Sequence, residues 1–311
     1  GGTNVQEQGS FQSTMNNMAA IIGDSLFGAS VTKVYKTDSN PLDPTVLSSV
    51  TDRISNGVSL MNYLGHASAT SSGFEINLDE PINWNNSGKY PVMLVNSCYN
   101  GNIFQLSSSK SEEFVQQAGY GAIAYIASVH LGEANNLSVY SSELYRNFSK
   151  KDYGGTLGHQ MQKTIEHMET TVGSFPMEAT CAQMTLNGDP MLRLNWHTKP
   201  EIELLPERVS FGPADIDLLT DSIEMTIVLK NLGRSVTTPF NLEVRRNFPQ
   251  STVDSIYSFQ ISTLHYTDTF SFKMPLQSSI ALGLNSFTIT ADIPSFAVSY
   301  THLTLPTNDV V

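Results

Sequence analysis

Three short apolar runs constrain the fold of this chain more than any other feature. They cover Val58 to Leu64, Pro91 to Ser97 and Gly121 to Ser128, and each lies between turn residues or helical stretches. Runs of this length are too short for a typical globular helix and suit strands that are buried on both faces. Because helical segments separate them, the pattern predicts an α/β domain with a mainly parallel sheet and crossover helices.

Amphipathic spacing predicts the helices that flank this sheet. Gly57 is placed as a stop signal for one of them, and Ser111, which two acidic residues follow, has the character of an N-cap. The predicted helices cover residues 13–26, 44–57, 111–119 and 155–171.

The pattern changes after residue 197. From 198 to 297 the chain reads as short alternating strands separated by Gly, Pro, Asn and Ser turns, which predicts an all-β sandwich of immunoglobulin-like size. The Cys-Trp-Cys signature of a true immunoglobulin domain is missing from its sequence. We therefore expect a first domain over residues 1–197 and a second over 198–297. The predicted strands lie within 223–231, 240–247, 254–262, 268–274 and 285–293.

Both ends of the chain are unusual. The sequence begins GGTNVQEQGS, with neither an initiator Met nor a signal peptide, which indicates a fragment that begins inside a domain. The last residues, VSYTHLTLPTNDVV, resemble the translation of a sequencing-library adaptor found at the ends of metagenomic reading frames. We interpret residues 298–311 as a non-native tail and give His302 and Asp309 no functional role. The alternative is a closing strand of the second domain.

Composition excludes several classes of function. The net charge is -12, and the 17 basic residues are scattered among 29 acidic ones, which argues against nucleic acid or an anionic membrane as a partner. Apolar runs in the sequence fall short of the roughly 18 residues that a membrane span requires. With two cysteines, the chain is neither a disulfide scaffold nor a zinc ribbon.

His66 and Cys98 each follow one of the predicted strands. In an open parallel sheet, catalytic groups gather beyond the carboxyl ends of the strands, so neighbouring strands would place this imidazole and thiol in one crevice. A thiolate is the nucleophile, and an imidazole can take up its proton and later give a proton to a departing amine. The backbone N–H groups of Ala67 and Cys98 are candidate donors to the oxyanion.

Simpler interpretations of these residues stay open at this point. A free cysteine at a strand end is usually a small buried apolar side chain, and a lone histidine is usually structural. His130, just beyond the third strand, is a rival to His66 and a candidate wall of the substrate pocket. His159 and His167 share one amphipathic helix and have no third ligand at metal-binding spacing. Cys181 falls in a predicted helix and has the character of a core residue.

The motifs SNGVSLMNYLGHASAT, VMLVNSCYNGNIF, GYGAIAYIAS and LNGDPMLRL follow one another in the order seen in the gingipain family of bacterial cysteine peptidases. The chain resembles that family over residues 1–196. The resemblance implies a caspase-like fold, cleavage of peptide bonds, His66 as the catalytic histidine and Cys98 as the nucleophile. It assigns a structural role to Gly188–Pro190. One departure is Ala67, where the family often has glycine.

The resemblance also implies a carboxylate that supports the histidine. Simple alignment places Gly9 at that position, and Glu7 is the nearby acid, although an exposed loop carboxylate is the simpler interpretation of Glu7. Selectivity for a basic side chain at the cleaved bond would need an acid in the substrate pocket. Glu133 is the candidate, and a solvated loop acid is the alternative.

Further expectations follow from the same resemblance. It implies an immunoglobulin-like domain after the catalytic one, protein or peptide substrates, an extracellular or cell-surface location, and partners in the type IX secretion system. Catalysis requires no cofactor, and loop carboxylates are candidates for a structural calcium site. Three functions stay open: a cysteine endopeptidase, a sortase that transfers the acyl group to an amine after removing C-terminal sorting domains, and an inactive surface-binding module.

Overall fold

The computed structural model describes residues 4–36, 42–71, 78–104, 108–213, 220–292 and 303–307. The chain divides into two compact units, Gly1–Ile22 with Val31–Trp196 and Gly23–Ser30 with His197–Val311. Sequence patterns assign residues 23–30 to the first domain, whereas in the structure they lie with the second unit. A backbone hydrogen bond from the N–H of Ser235 to the carbonyl of Leu26 (2.9 Å) holds them there.

A four-stranded sheet forms the centre of the first unit. Its strands are β1 (Leu60–Leu64), β2 (Val92–Asn96), β3 (Ala124–Ser128) and β4 (Met184–Gly188), in the spatial order β1-β2-β3-β4. The first three are parallel and β4 is antiparallel to β3. The three predicted strands are therefore confirmed, and the mixed sheet with its helices fits the predicted caspase-like α/β fold. Sequence patterns did not indicate β4.

Helices flank the sheet at most of the predicted places. Gly57 ends the second helix as predicted, with φ of 99° and its N–H bonded to the carbonyl of Ile54. The first helix begins at Val5, well before the predicted residue 13. The described helices of this unit are α1 (Val5–Gly23), α2 (Pro44–Asn56), α3 (Lys110–Gln116), α4 (Ala134–Arg146), α5 (Leu157–Thr171) and α6 (Phe175–Gln183), with a 3-10 turn at Pro81–Asn83 and a π-helical turn at Asn147–Lys151.

The predicted N-cap of α3 is wrong by two residues. Ser109 is the cap, since its hydroxyl accepts the N–H of Glu112 (3.3 Å) and the Glu112 carboxylate accepts the N–H of Ser109 (2.8 Å). This reciprocal pair is a capping box, which satisfies two N–H groups at once. Ser111 instead lies in the first turn, buried, with its hydroxyl 2.9 Å from that of Ser109.

Strand β2 packs helices on both of its faces. Met93 and Val95 belong to an apolar cluster that includes Ile54 of α2 and Phe114 of α3. On the other face, the Asn96 side chain accepts a hydrogen bond from Ser141 of α4. Because β2 is covered on both sides, its side chains from Val92 to Val95 are apolar without alternation, and this explains why this short run could be recognised from the sequence.

The second unit consists of two antiparallel four-stranded sheets that share one apolar core. One sheet has the order β10-β7-β5, with β6 also paired to β7, and the other has the order β12-β11-β8-β9. Ile227, Val244 and Phe287, from both sheets, are members of the same buried cluster. The immunoglobulin-like relationship stays a prediction. The elements are β5 (Ile202–Glu203), β6 (Val209–Gly212), β7 (Ser222–Asn231), β8 (Phe240–Asn247), β9 (Ser255–Ile261), β10 (Thr267–Pro275), α7 (Ser278–Ala281), β11 (Asn285–Asp292) and β12 (Leu303–Thr307), with a 3-10 turn at Pro206–Arg208.

The suspected tail is described only in part. Its residues 303–307 form β12, which pairs antiparallel with β11 from Leu303 opposite Ile289 to Thr307 opposite Asn285. An alternating segment can add to a sheet edge whatever its origin, so the adaptor interpretation stays a prediction. His302 and Asp309 lie outside the described residues.

Within the described ranges, no helix has the length and apolar character that crossing a lipid bilayer requires.

Candidate active site

The register of β1 and β2 brings His66 and Cys98 to the same edge of the sheet. Leu64 pairs with Asn96 as the last rung of this parallel ladder, and the N–H of Gly65 extends it with a bond to the Asn96 carbonyl (3.2 Å). His66 and Cys98 each follow that rung by two residues. Both side chains therefore leave the sheet at its carboxyl end, on adjacent strands.

Helix α1 places two side chains against His66. The Oε1 atom of Glu7 lies 3.1 Å from Nε2 of His66, and the ring of Phe11 lies 6.3 Å from the imidazole, centroid to centroid. Glu7 and Phe11 are four residues apart on the helix, so both project from the same face. Asn4 helps to begin the helix, since its side chain accepts the N–H of Glu7 (3.0 Å).

The Glu7 contact orients the imidazole of His66. An ionised carboxylate only accepts hydrogen bonds, so Nε2 carries the proton in this contact and Nδ1 is the nitrogen left for proton exchange. Glu7 is 26% exposed and His66 is 57% exposed. Glu7 is thus a helical, half-buried residue, and its interpretation as an exposed loop acid is wrong. Gly9, which simple alignment places at this position, has no side chain to reach the histidine.

The Cys98 thiol is half-buried and contacts the loop that follows β3. The N–H of Gly132 donates to Sγ of Cys98 over 3.4 Å, and the Gly132 carbonyl lies 3.8 Å from the same sulfur. An N–H aimed at the sulfur stabilises negative charge there. Sequence patterns gave no reason to select Gly132, which is an isolated glycine in a loop before α4.

Gly132 has no room for a side chain. A Cβ at this position would lie 2.9 Å from the carbonyl oxygen of Ser97 and 2.5 Å from Cδ1 of Leu137. The first of these contacts is with the backbone next to Cys98, so relief of the clash must move one of the two loops.

We expect Gly132→Ala to lower kcat/KM by about 10²-fold, the typical effect of misplacing a reacting group by 1 Å. Steady-state cleavage of a peptide pool measures this. Gly9→Ala, where nothing lies within 4 Å of the added carbon, is the control and retains full activity. Equal values of kcat/KM for Gly132→Ala and the wild type would show that the contact between Gly132 and Cys98 does not contribute to catalysis.

His130 and Glu133 lie in the same loop as Gly132. The His130 carbonyl accepts the N–H of Tyr99 (2.9 Å), and the two rings are 5.1 Å apart. The Glu133 carboxylate caps α4, accepting the N–H groups of Asn135 (3.1 Å) and Asn136 (2.8 Å). Glu133 is therefore an exposed acid that caps a helix. A role for either side chain in substrate selection stays a prediction.

Neither of the predicted oxyanion donors, the N–H groups of Ala67 and Cys98, donates a hydrogen bond to another described residue. Ala67 directly follows His66, and Cys98 is itself the predicted nucleophile. Their role as oxyanion donors stays a prediction.

The remaining histidines and the second cysteine have other surroundings. Nδ1 of His159 is 2.8 Å from Asp152, and Nε2 of His167 is 3.7 Å from Glu143. Cys181 is buried in α6 as predicted, and burial raises the pKa of its thiol. In the described part of the chain, no group of three or more His, Cys, Asp or Glu residues is arranged to hold a metal ion. The structural calcium site stays a prediction.

The sequence profile of peptidase family C25 matches residues 2–195. The chain belongs to this family. Peptidase family C25 is the gingipain family, so the resemblance drawn from the sequence motifs is confirmed. Comparison with curated proteins gave no match.

Two solved structures of gingipain R resemble the C25 chain at 17% identity. One is the complex of the Porphyromonas gingivalis RgpB pro- and mature domains, with a TM-score of 0.48. The match covers 97% of this chain and 63% of the solved chain. The second is the Arg-specific cysteine proteinase gingipain R, with a TM-score of 0.49, covering 96% of this chain and 62% of the other. The chain thus spans less than two thirds of the length of either.

The Gly188–Pro190 segment of the C25 motif joins β4 to the loop that follows. Gly188 has φ of 126°, and a Cβ there would lie 2.9 Å from Cα of Ala124 in β3. The Asp189 side chain accepts the N–H of Met191 (2.8 Å), and the Pro190 carbonyl accepts the N–H of Gly158 (2.9 Å). All these contacts are within the chain, which agrees with a structural role.

Proposed function

We propose that this protein is a cysteine endopeptidase that cleaves peptide bonds with Cys98 as nucleophile, His66 as general acid and base, and Glu7 as the carboxylate that orients His66. The observation that carries the proposal is the 3.1 Å contact between Glu7 and an imidazole that leaves the sheet beside the strand of Cys98. An oriented base next to a nucleophile is the arrangement that cysteine and serine peptidases share. Membership of family C25 supports it.

The first half of the reaction forms a thioester. The Cys98 thiol gives its proton to Nδ1 of His66, and the sulfur attacks the carbonyl carbon of the substrate. The carbonyl oxygen becomes an oxyanion, which the N–H groups of Ala67 and Cys98 stabilise. As the C–N bond breaks, His66 passes the proton that it took from the thiol to the departing amine.

The second half releases the acid. His66, now neutral, takes a proton from water, and the hydroxide attacks the thioester carbonyl. The C–S bond breaks, and the proton passes from His66 to the sulfur. Glu7 acts throughout by holding the imidazole in one orientation and by stabilising its charged form.

An irreversible probe tests the nucleophile. We expect a peptide acyloxymethyl ketone to label the wild type on Cys98, and Cys98→Ala to remove the label completely, because the thiolate forms the covalent bond. Cys181→Ala is a matched control, since it removes the second cysteine from the core of α6, and it retains the label. Intact mass and peptide mapping measure both results. A folded wild type that no probe labels, over a range of side chains, would contradict the proposal.

The same acyl-enzyme could pass to an amine instead of water. Adding glycine amide to the cleavage reaction separates the two: an endopeptidase gives mainly the free acid, and a sortase gives the amide.

The extracellular location, the type IX secretion partners and the immunoglobulin-like nature of the second unit rest on the gingipain resemblance and stay predictions.

A further inference from the structure

A buried side-chain amide connects the two loops that carry the proposed catalytic pair. Nδ2 of Asn100 donates to the carbonyl of Ser68 (2.6 Å) and to the carbonyl of Ser71 (3.0 Å). Asn100 is two residues past Cys98, and Ser68 is two residues past His66. One amide group therefore links the loop around Cys98 (residues 97–100) to the histidine loop (residues 65–71).

This amide has a single orientation. Its oxygen accepts the hydroxyl of Tyr125 in β3 (3.0 Å), while its nitrogen faces two carbonyl oxygens. Exchanging the nitrogen and oxygen would bring acceptors against acceptors, so the network determines the assignment. Both Asn100 and Tyr125 are fully buried, where an unpaired polar group is costly. The link is consequently rigid.

The loop around Cys98 is held independently on its other sides. The N–H of Tyr99, whose φ is +62°, donates to the His130 carbonyl (2.9 Å), and the Asn100 carbonyl accepts the N–H of Ser111 at the start of α3 (3.2 Å). The histidine loop closes on itself through the N–H of Ser68 and the carbonyl of Ser71 (3.0 Å). The side chain of Asn100 joins these two preformed turns.

We infer that Asn100 is a positioning residue, whose amide holds the His66 loop in register with Cys98. It touches neither the thiol nor the imidazole, and it acts through His66. The inference rests on the proposed peptidase function, because the geometry that Asn100 maintains is that of the proposed pair. Without the peptidase function, a buried, hydrogen-bonded amide at this place would contribute stability alone.

The test compares Asn100→Ala with Tyr125→Phe. Asn100→Ala removes all three hydrogen bonds of this amide, whereas Tyr125→Phe removes only the bond to its oxygen and leaves the two bonds to the histidine loop in place. We expect Asn100→Ala to lower kcat by about 10²-fold with KM changed by less than about threefold, and Tyr125→Phe to keep kcat within about threefold of the wild type. In a His66→Ala background, adding Asn100→Ala should lower the residual rate by less than about threefold, because a residue that acts through His66 has little further effect without it.

Amide hydrogen exchange of residues 66–71 supplies a measurement that does not depend on turnover. We expect exchange at Ser68 to be at least about tenfold faster in Asn100→Ala than in Tyr125→Phe, since only Asn100→Ala removes the two hydrogen bonds to the carbonyls of Ser68 and Ser71. If Asn100→Ala does not fold, Asn100→Thr keeps the volume and one donor and should show the same directions with smaller changes.

Different results separate the two proposals. A wild type that cleaves no peptide contradicts the peptidase function, and exchange at Ser68 then decides the inference: equal rates in the two variants overturn it. With an active wild type, the inference is overturned if Asn100→Ala retains kcat, if Tyr125→Phe loses as much, or if the loss is the same with and without His66.

Discussion

His66→Ala is expected to lower kcat/KM for a peptide substrate by about 10³- to 10⁴-fold, the upper range for loss of a general acid and base. In the proposed mechanism the imidazole exchanges protons with the thiol, the departing amine and the attacking water, so all three of these steps would lose their proton carrier. Steady-state cleavage measures the change, and intact mass checks that Cys98 is present and unmodified.

His159→Ala is the matched control for this substitution. His159 also contacts a carboxylate, Asp152, at 2.8 Å and has a similar exposed fraction of 47%, but it lies on α5 rather than at the carboxyl end of the sheet. We expect this variant to keep kcat/KM within about twofold of the wild type. Equal losses in His66→Ala and His159→Ala would assign the effect to general destabilisation instead of catalysis.

Glu7→Gln separates orientation from proton transfer. Glutamine is nearly isosteric and its side-chain oxygen can still accept a hydrogen bond from Nε2, but it lacks the negative charge of the carboxylate. We expect Glu7→Gln to lower kcat/KM by about 10- to 10²-fold when it is introduced into the wild type. Introduced into His66→Ala, it should have almost no effect, because a carboxylate that orients the histidine acts only through that histidine. Additive losses would show that Glu7 acts by another route.

Phe114→Ala is expected to lower the free energy of unfolding of the first unit by about 3–5 kcal/mol, the usual cost of removing a buried aromatic ring. Phe114 is fully buried in the cluster under the sheet, 4.9 Å from the ring of Trp84 and 5.8 Å from that of Tyr125. The truncation removes apolar contacts to both and leaves a cavity that β2, β3 and α3 fill only in part.

Guanidinium unfolding followed by tryptophan fluorescence measures this change. Trp84 is buried beside Phe114 and reports on this core, whereas Trp196 is exposed. Phe175→Ala is the control, because Phe175 is 80% exposed and its removal should change the free energy of unfolding by less than about 0.5 kcal/mol. If Phe114→Ala lowered the free energy of unfolding by less than about 1 kcal/mol, the surrounding side chains would have filled the cavity. The position of Phe114 between the rings of Trp84 and Tyr125 argues against this.

The candidate site divides into residues that sequence patterns could identify and residues that they could not. The positions of His66 and Cys98, each shortly after a predicted strand, made them candidates, because neighbouring parallel strands place their ends together, and the gingipain resemblance implied their roles. The prediction for Glu7 was weaker, because alignment indicated Gly9 and no pattern within the helix favours one acidic residue over another. Gly132 and Asn100 carried no signal, because a loop glycine and an asparagine after a cysteine occur in many settings.

Local periodicity predicted many elements of this protein, though not β4, because burial on both faces requires apolar runs and burial on one face requires alternation. That principle located β1, β2 and β3 and the alternating strands of the second unit. Tertiary structure alone decided which side chains meet across large sequence separations. Glu7 reaches His66 because α1 packs beside the end of β1, and Asn100 reaches Ser68 because the turns after β1 and β2 leave the sheet side by side. These contacts depend on packing between elements, and packing leaves no period in the sequence.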